Sequence, residues 1–168
     1  PGSVVKLRSR EQIPLGSGNS LRALFTPGHE DDHVSYFLPA GRVLFSGDTI
    51  LGRSSATVRN LKQYMASLEL MARQRPDIIC PGHGPVIRNG TQRVQWYLQH
   101  RQQREDQILA ALDGGAQSVD DLVRAIYPRN LRRNLREAAA RNVRTHLAKL
   151  KEEKRVGEQV ATYTLNAG

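Results

Sequence analysis

Apolar and polar positions follow two regimes along the chain, with the change near residue 90. Before it, short apolar runs alternate with turns bearing glycine or proline. Val4 to Leu7, Leu21 to Phe25, Val34 to Leu38, Arg42 to Phe45 and Asp77 to Cys80 each predict a strand. Ile13 to Asn19, rich in Gly, Pro and Ser, reads as a turn region. Pro39-Ala40-Gly41 reads as the turn of a hairpin. One helix interrupts the strands: between Val58 and Arg73, the residues Leu61, Met65, Leu68 and Ala72 recur in steps of four, three and four. Pro76 stops it.

From Thr91 the period is helical. A long helix runs through Val94, Leu98, Ile108 and Leu112 to Gly114-Gly115. Ser118 is a good N-cap for a short helix to Tyr127, with Asp120 and Asp121 in its first turn and Pro128 after it. A third helix spans about Leu131 to Lys154, with Leu135, Ala139, Val143, Leu147 and Leu150 as its core stripe. Gly157 is expected to end it, and Val160 to Leu165 reads as a terminal β segment. Three helices and a strand or hairpin form the pattern of a winged helix. The predicted domains are 1–90 and 91–168, with the boundary near Gly90 or within the connecting helix at 98–104.

Composition is that of a globular chain: 39% hydrophobic and 24% charged over 168 residues. No apolar run approaches the ~20 residues of a membrane-spanning helix, and no secretory signal stands out, so membrane partners are not expected. The lone cysteine, Cys80, excludes an intrachain disulfide framework and fits a reducing compartment; in its apolar run it reads as a small buried hydrophobe. An intracellular location, cytoplasm or mitochondrial matrix, is expected. Net charge is +9, unevenly placed. Residues 1–87 hold 10 Lys+Arg and 7 Asp+Glu, or +3; residues 88–168 hold 15 and 9, or +6. That balance favours polyanionic partners. Pro1-Gly2-Ser3 reads as the remnant of a cleaved tag, with natural sequence expected upstream of Val4.

The chemistry concentrates in three segments: Thr26-Pro27-Gly28-His29, Ser46-Gly47-Asp48-Thr49 and Pro81-Gly82-His83-Gly84-Pro85. Each sets a metal-capable side chain beside a glycine just after a predicted strand. A strand end is stiff, and glycine lets the chain turn tightly so that the side chain enters a shared space. Zinc accepts imidazole nitrogens and carboxylate oxygens, and a carboxylate can bridge two cations. A pair of metals about 3.5–4 Å apart polarises the bond that a water between them attacks. Any one of these segments alone is an ordinary turn; three in this order point to one site. His33 reads either as a partner that orients a ligand or as a polar loop residue. His100 and His146 read as packing residues of helices.

With Thr26-Pro-Gly-His-Glu-Asp-Asp-His33, Phe45-Ser-Gly-Asp-Thr-Ile-Leu-Gly52 and Asp77-Ile-Ile-Cys-Pro-Gly-His-Gly-Pro-Val86, the sequence resembles the second half of the metallo-β-lactamase superfamily, and within it the beta-lactamase-like protein 2 family. The likeness continues through Tyr97 to Glu105 into the helical tail. It implies an α+β fold: the second half of an αβ/βα sandwich followed by a winged-helix-like domain. It implies His29 as ligand to a first zinc, Asp48 as bridging carboxylate and His83 as ligand to a second. The family's His-x-His-x-Asp-His segment does not occur in this sequence. The chain alone is therefore expected to hold zinc weakly or not at all and to be inactive. Its uncovered sheet face is expected to associate with the missing N-terminal half or in a homodimer.

Three functions remain open at this level. The resemblance implies a zinc-dependent endoribonuclease acting on single-stranded RNA, with the basic tail holding the backbone. The same ligands serve thioester hydrolysis, glyoxalase II-like or on acyl carriers. A non-catalytic module docking nucleic acid or protein is the third. On the third helix Arg133, Arg144 and Lys151, with Arg155 beyond, fall near one direction and form the candidate nucleic-acid stripe.

Overall fold

The computed structural model describes residues 6–53, 56–159 and 162–165. The chain divides into two compact units, Pro1–Leu98 and Gln99–Gly168.

The first unit is built on a five-stranded sheet in the order β1-β2-β3-β4-β5. The strands are β1 (Gln12–Gly16), β2 (Asn19–Phe25), β3 (Val34–Leu38), β4 (Val43–Gly47) and β5 (Ile78–Pro81). Neighbours are antiparallel from β1 to β4, and β5 runs parallel to β4 after the crossover helix α1 (Leu61–Gln74). Asn60 caps α1, its side chain accepting from the Gln63 N–H at 3.0 Å. Because β2, β3 and β4 alternate in direction and β5 runs parallel to β4, the C-terminal ends of β2, β4 and β5 lie at one end of the sheet, where β3 also begins.

One sheet face is covered. Leu24, Phe37, Leu44 and Ile79 pack with Leu61, Tyr64, Leu68 and Met71 of α1, and with Val94 and Tyr97 from the first turns of α2 (Gly90–Asp113). The opposite face carries Phe25, Tyr36 and Phe45; Phe25 and Phe45 are exposed, at 38% and 40%. Cys80 pairs in register with Phe45 and is half-buried, not fully buried as its apolar run suggested, because it lies on this barely covered face.

Two expectations in this unit need correction. The stretch 13–19 is mostly strand: β1 pairs with β2 through Ile13↔Leu21 and Pro14↔Ser20, and only Ser17-Gly18, both at positive φ, make the turn. Pro14 is tolerated because β1 is an edge strand. Of the strand expected at Val4 to Leu7, residues 4 and 5 lie outside the described residues, while Lys6 and Leu7 have no regular structure.

The second unit takes the later turns of α2, then α3 (Val119–Ile126), α4 (Arg133–Glu152) and the antiparallel hairpin β6 (Val156–Gln159) and β7 (Thr162–Leu165). Its core joins Ile108, Leu112, Leu122, Val123, Ala139, Val143, Leu147, Leu150 and Val156. A capping box opens α3: Asp121 N–H donates to Ser118 Oγ at 3.1 Å, and Ser118 N–H to Asp121 Oδ2 at 3.1 Å. The Ser118 hydroxyl, donating to Asp121 Oδ2 at 2.7 Å, then the Arg124 guanidinium, and to a lesser degree the Gln117 and Ser118 N–H groups, hold the Asp121 carboxyl down to about 2.

The end of α4 also departs from expectation. Gly157 lies within β6. The helix stops earlier, with Lys154 in the left-handed region (φ 59) and the N–H groups of Arg155 and Lys154 donating to the carbonyls of Leu150 and Lys151. Leu135, expected in the core stripe, is 49% exposed: it sits in the first turn of α4, before the buried stripe begins at Ala139. Of the terminal β segment expected at Val160 to Leu165, residues 160 and 161 lie outside the described residues.

Candidate metal centre

Each of the three singled-out segments leaves the same end of the sheet. His29 lies in the loop from β2 to β3, Asp48 follows β4 directly, and His83 comes two residues after β5. Backbone bonds tie the loops together. Gly82 N–H donates to the Gly47 carbonyl at 2.7 Å, Gly52 N–H to the His83 carbonyl at 3.0 Å, and Thr26 N–H to the His33 carbonyl at 2.9 Å. Ile79 and Ile87 exchange two N–H···O bonds of 2.9 Å, which close the loop bearing His83. Behind Asp48, Tyr64 Oη donates to the Thr49 carbonyl at 2.6 Å and Leu51 N–H donates to Tyr97 Oη at 3.0 Å. Two buried tyrosines thus fix the segment that carries the carboxylate.

Two glycines allow the approach. Gly47 has φ 52, and a Cβ there would lie 2.5 Å from His33 Nε2. A Cβ on Gly82 would lie 2.7 Å from Asp48 Oδ1. Larger residues at either position would collide with the groups gathered here.

The side chains are set up as donors to a cation. His29 Nδ1 lies 2.7 Å from the Thr57 carbonyl. A carbonyl only accepts, so Nδ1 carries the proton and Nε2 keeps its lone pair. Asp48 Oδ1 is shielded from solvent and has no hydrogen-bond partner. His83 Nε2 lies 3.6 Å from that oxygen, on a side chain 79% exposed. Two donors sharing one tetrahedral zinc with bonds near 2.0 Å stand about 3.3 Å apart, so this pair fits a common cation.

His33 stands beside them. Its ring centroid is 6.3 Å from that of His29, and its Nδ1 lies 2.9 Å from Thr26 Oγ1 and 3.2 Å from Thr49 Oγ1. Burial, then the neighbouring His29, lower its pKa and favour the neutral ring. Among the described residues no three His, Cys, Asp or Glu side chains form a complete metal-binding group. The residues fit part of a coordination shell.

In the second unit the candidate stripe divides. Arg133 and Arg144 line an open trough along α4. Lys151 is exposed near the helix end and takes part in interactions of its own. Arg155 lies past the helix and pairs with the buried Glu105, which also takes Lys149 at 2.6 Å. Sequence reasoning missed Arg136 and Arg141, which share the trough with Arg133 and Arg144. The spacing of Arg133, Arg136, Arg141 and Arg144 on one helix face was the available signal. His146 is fully buried; its Nδ1 is 2.8 Å from the Asn142 carbonyl, and burial pushes its pKa down to about 4.

A half-sandwich of this topology with His, Asp and His at one sheet end, followed by a winged-helix unit, defines a metallo-β-lactamase-type protein. The chain belongs to the metallo-beta-lactamase superfamily: residues 2–83 match the family of that description, and residues 118–161 match the beta-lactamase associated winged helix domain. A beta-lactamase-like protein 2 homolog of Drosophila melanogaster is 41% identical over 140 residues, covering 81% of this chain and 47% of that protein. Its counterpart in Caenorhabditis elegans is 37% identical over 134 residues, covering 79% and 45%. The atrochrysone carboxyl ACP thioesterase of Aspergillus fumigatus is 37% identical over 130 residues, covering 70% and 41%. A metallo-beta-lactamase family protein from Thermus thermophilus superposes with a TM-score of 0.75 at 29% identity, over 99% of this chain and 56% of that one. The chain spans about half the length of the curated relatives it matches. Among the described residues no helix is long and apolar enough to cross a membrane.

Proposed function

We propose that this chain forms the His29, Asp48 and His83 side of a two-zinc centre in a hydrolase that cleaves single-stranded RNA. The carrying observation is the shielded, unpartnered Asp48 Oδ1 facing His83 Nε2 at 3.6 Å, at the sheet end where His29 also emerges. Bound zinc supplies Lewis-acid polarisation of the bond to be cleaved. The chain's own part is positional. The Thr57 carbonyl fixes the tautomer of His29, the tyrosines hold the Asp48 loop, and Gly47 and Gly82 leave room for both. His33, neutral and held by two threonine hydroxyls, packs beside the ligands without adding a competing positive charge.

Arginine crowding on the winged-helix unit supports RNA as the substrate, since phosphate neutralisation dominates affinity for nucleic acid. The similarity to a carboxyl ACP thioesterase supports a second reading, thioester hydrolysis at the same centre. The missing part of the shell is assigned to an N-terminal half, seated on the face bearing Phe25, Tyr36 and Phe45.

Intact, zinc-loaded protein decides between them when offered single-stranded RNA and an acyl thioester. RNA cleavage that is lost in Asp48→Asn and His83→Ala supports the first reading. Thioester cleavage with RNA untouched establishes the second, and turnover of neither leaves a binding module.

A further inference from the structure

A cavity of about 340 Å³ opens between the end of α3 and the start of α4, within the range of small-ligand pockets (about 300–1,000 Å³). Val123, Tyr127, Pro128 and Leu131 give it apolar walls, while Arg129 and Arg136 bring charge. The Arg104 guanidinium lies 4.2 Å from the Tyr127 ring centroid and backs that wall with a cation–π contact. Arg136 also belongs to the open trough of about 470 Å³ that continues along α4 past Arg133, Arg141 and Arg144. Arg124 is committed to Asp121 at 2.5 Å. Among the described residues, the guanidinium groups of Arg129, Arg133, Arg136, Arg141 and Arg144 form no ion pair, although Asp120 and Glu137 share the trough. Five cations stand against two carboxylates beside an aromatic-lined pocket.

We propose that this pocket and trough form a seat for single-stranded RNA: one unstacked base enters the pocket against Tyr127, and the following phosphates run over Arg136, Arg133, Arg141 and Arg144. This rests on the RNA reading above and names its binding surface. A duplex fits poorly, because its bases are stacked and cannot enter a pocket, whereas single strands offer a free face to an aromatic ring. The seat differs from a stripe running to Arg155, which Glu105 engages within the unit.

Binding of a short labelled oligouridylate to the 168-residue chain, followed by fluorescence anisotropy, tests the seat. For single strands each lost phosphate contact removes about 0.7 from the slope of log K against log salt, or about fivefold in affinity at 0.1 M salt. The exposed triple variant Arg136→Gln, Arg141→Gln, Arg144→Gln is therefore expected to bind on the order of a hundredfold more weakly, with a slope shallower by about 2. Arg73→Gln, in the other unit, is expected to leave binding unchanged. An oligonucleotide carrying one 2-aminopurine is expected to show quenching with the wild type and less with Tyr127→Leu. Circular dichroism confirms that the arginine variants fold, so they carry the test even if Tyr127→Leu is unstable. Wild-type binding that the triple variant retains overturns the seat and leaves the RNA reading standing. A wild type that ignores single-stranded RNA at low salt overturns both.

Discussion

Replacing His146 with Gln should flatten the acid side of the stability profile. The imidazole is fully buried in the second unit, where burial, opposed in part by the Asn142 carbonyl bond, pushes its pKa from 6.5 to about 4. The nearby charges of Arg101 and Arg104 push in the same direction as burial. In the unfolded chain the ring takes a proton as pH falls through 6.5; in the native chain it resists until about 4. The unfolded state thus binds more protons throughout that window, so stability falls as pH falls and is fully present only above 6.5. Between pH 7 and pH 5 the linkage integral comes to about 2 kcal/mol. Urea denaturation at both pH values measures it. Wild type should lose about 2 kcal/mol more than His146→Gln over the interval, because the amide does not titrate. Parallel losses in the two proteins would refute the reasoning, and so would a proton resonance of His146 titrating near its ordinary value.

Other expectations follow from the packing around the two sites. Gly47→Ala should destabilise the first unit by about 1–3 kcal/mol, measured as a lowered denaturation midpoint, since the new methyl meets His33 Nε2 at 2.5 Å on a backbone already at φ 52. Glu105→Ala should cost about 2–3 kcal/mol, because it strips a buried carboxylate from Lys149 and Arg155; Glu153, still 2.9 Å from Lys149, keeps the loss at the lower end. After dialysis the 168-residue chain should hold well under one zinc per monomer, by elemental analysis alongside its solution mass. Stoichiometric zinc on a monomer would show that the shell is complete without further ligands.

The sheet end was legible because it is written locally. A glycine beside a histidine or aspartate after an apolar run identifies a strand terminus; antiparallel pairing from β2 to β4 then brings His29 and Asp48 to one end, and the parallel crossover to β5 brings His83 there. Residues that depend on tertiary neighbours were not legible in this way. Pro14 looked like a breaker, and only its place on the sheet edge makes it part of a strand. Leu135 fits the apolar spacing of α4, but no neighbouring element covers that first turn enough to bury it. Arg155 reads as one more surface cation until the fold brings the buried Glu105 against it, fifty residues away in sequence. Conversely, the helical spacing of Arg136 and Arg141 places them on one face, but the hollow that Arg136 lines with Tyr127 exists only once α3 and α4 pack.

Cys80, in register with Phe45, gives the protein a built-in reporter. It is the chain's only thiol, so any alkylating dye marks one location. Whatever comes to rest on Phe25, Tyr36 and Phe45 must also shelter that sulfur, and the labelling rate then counts how often the cover lifts.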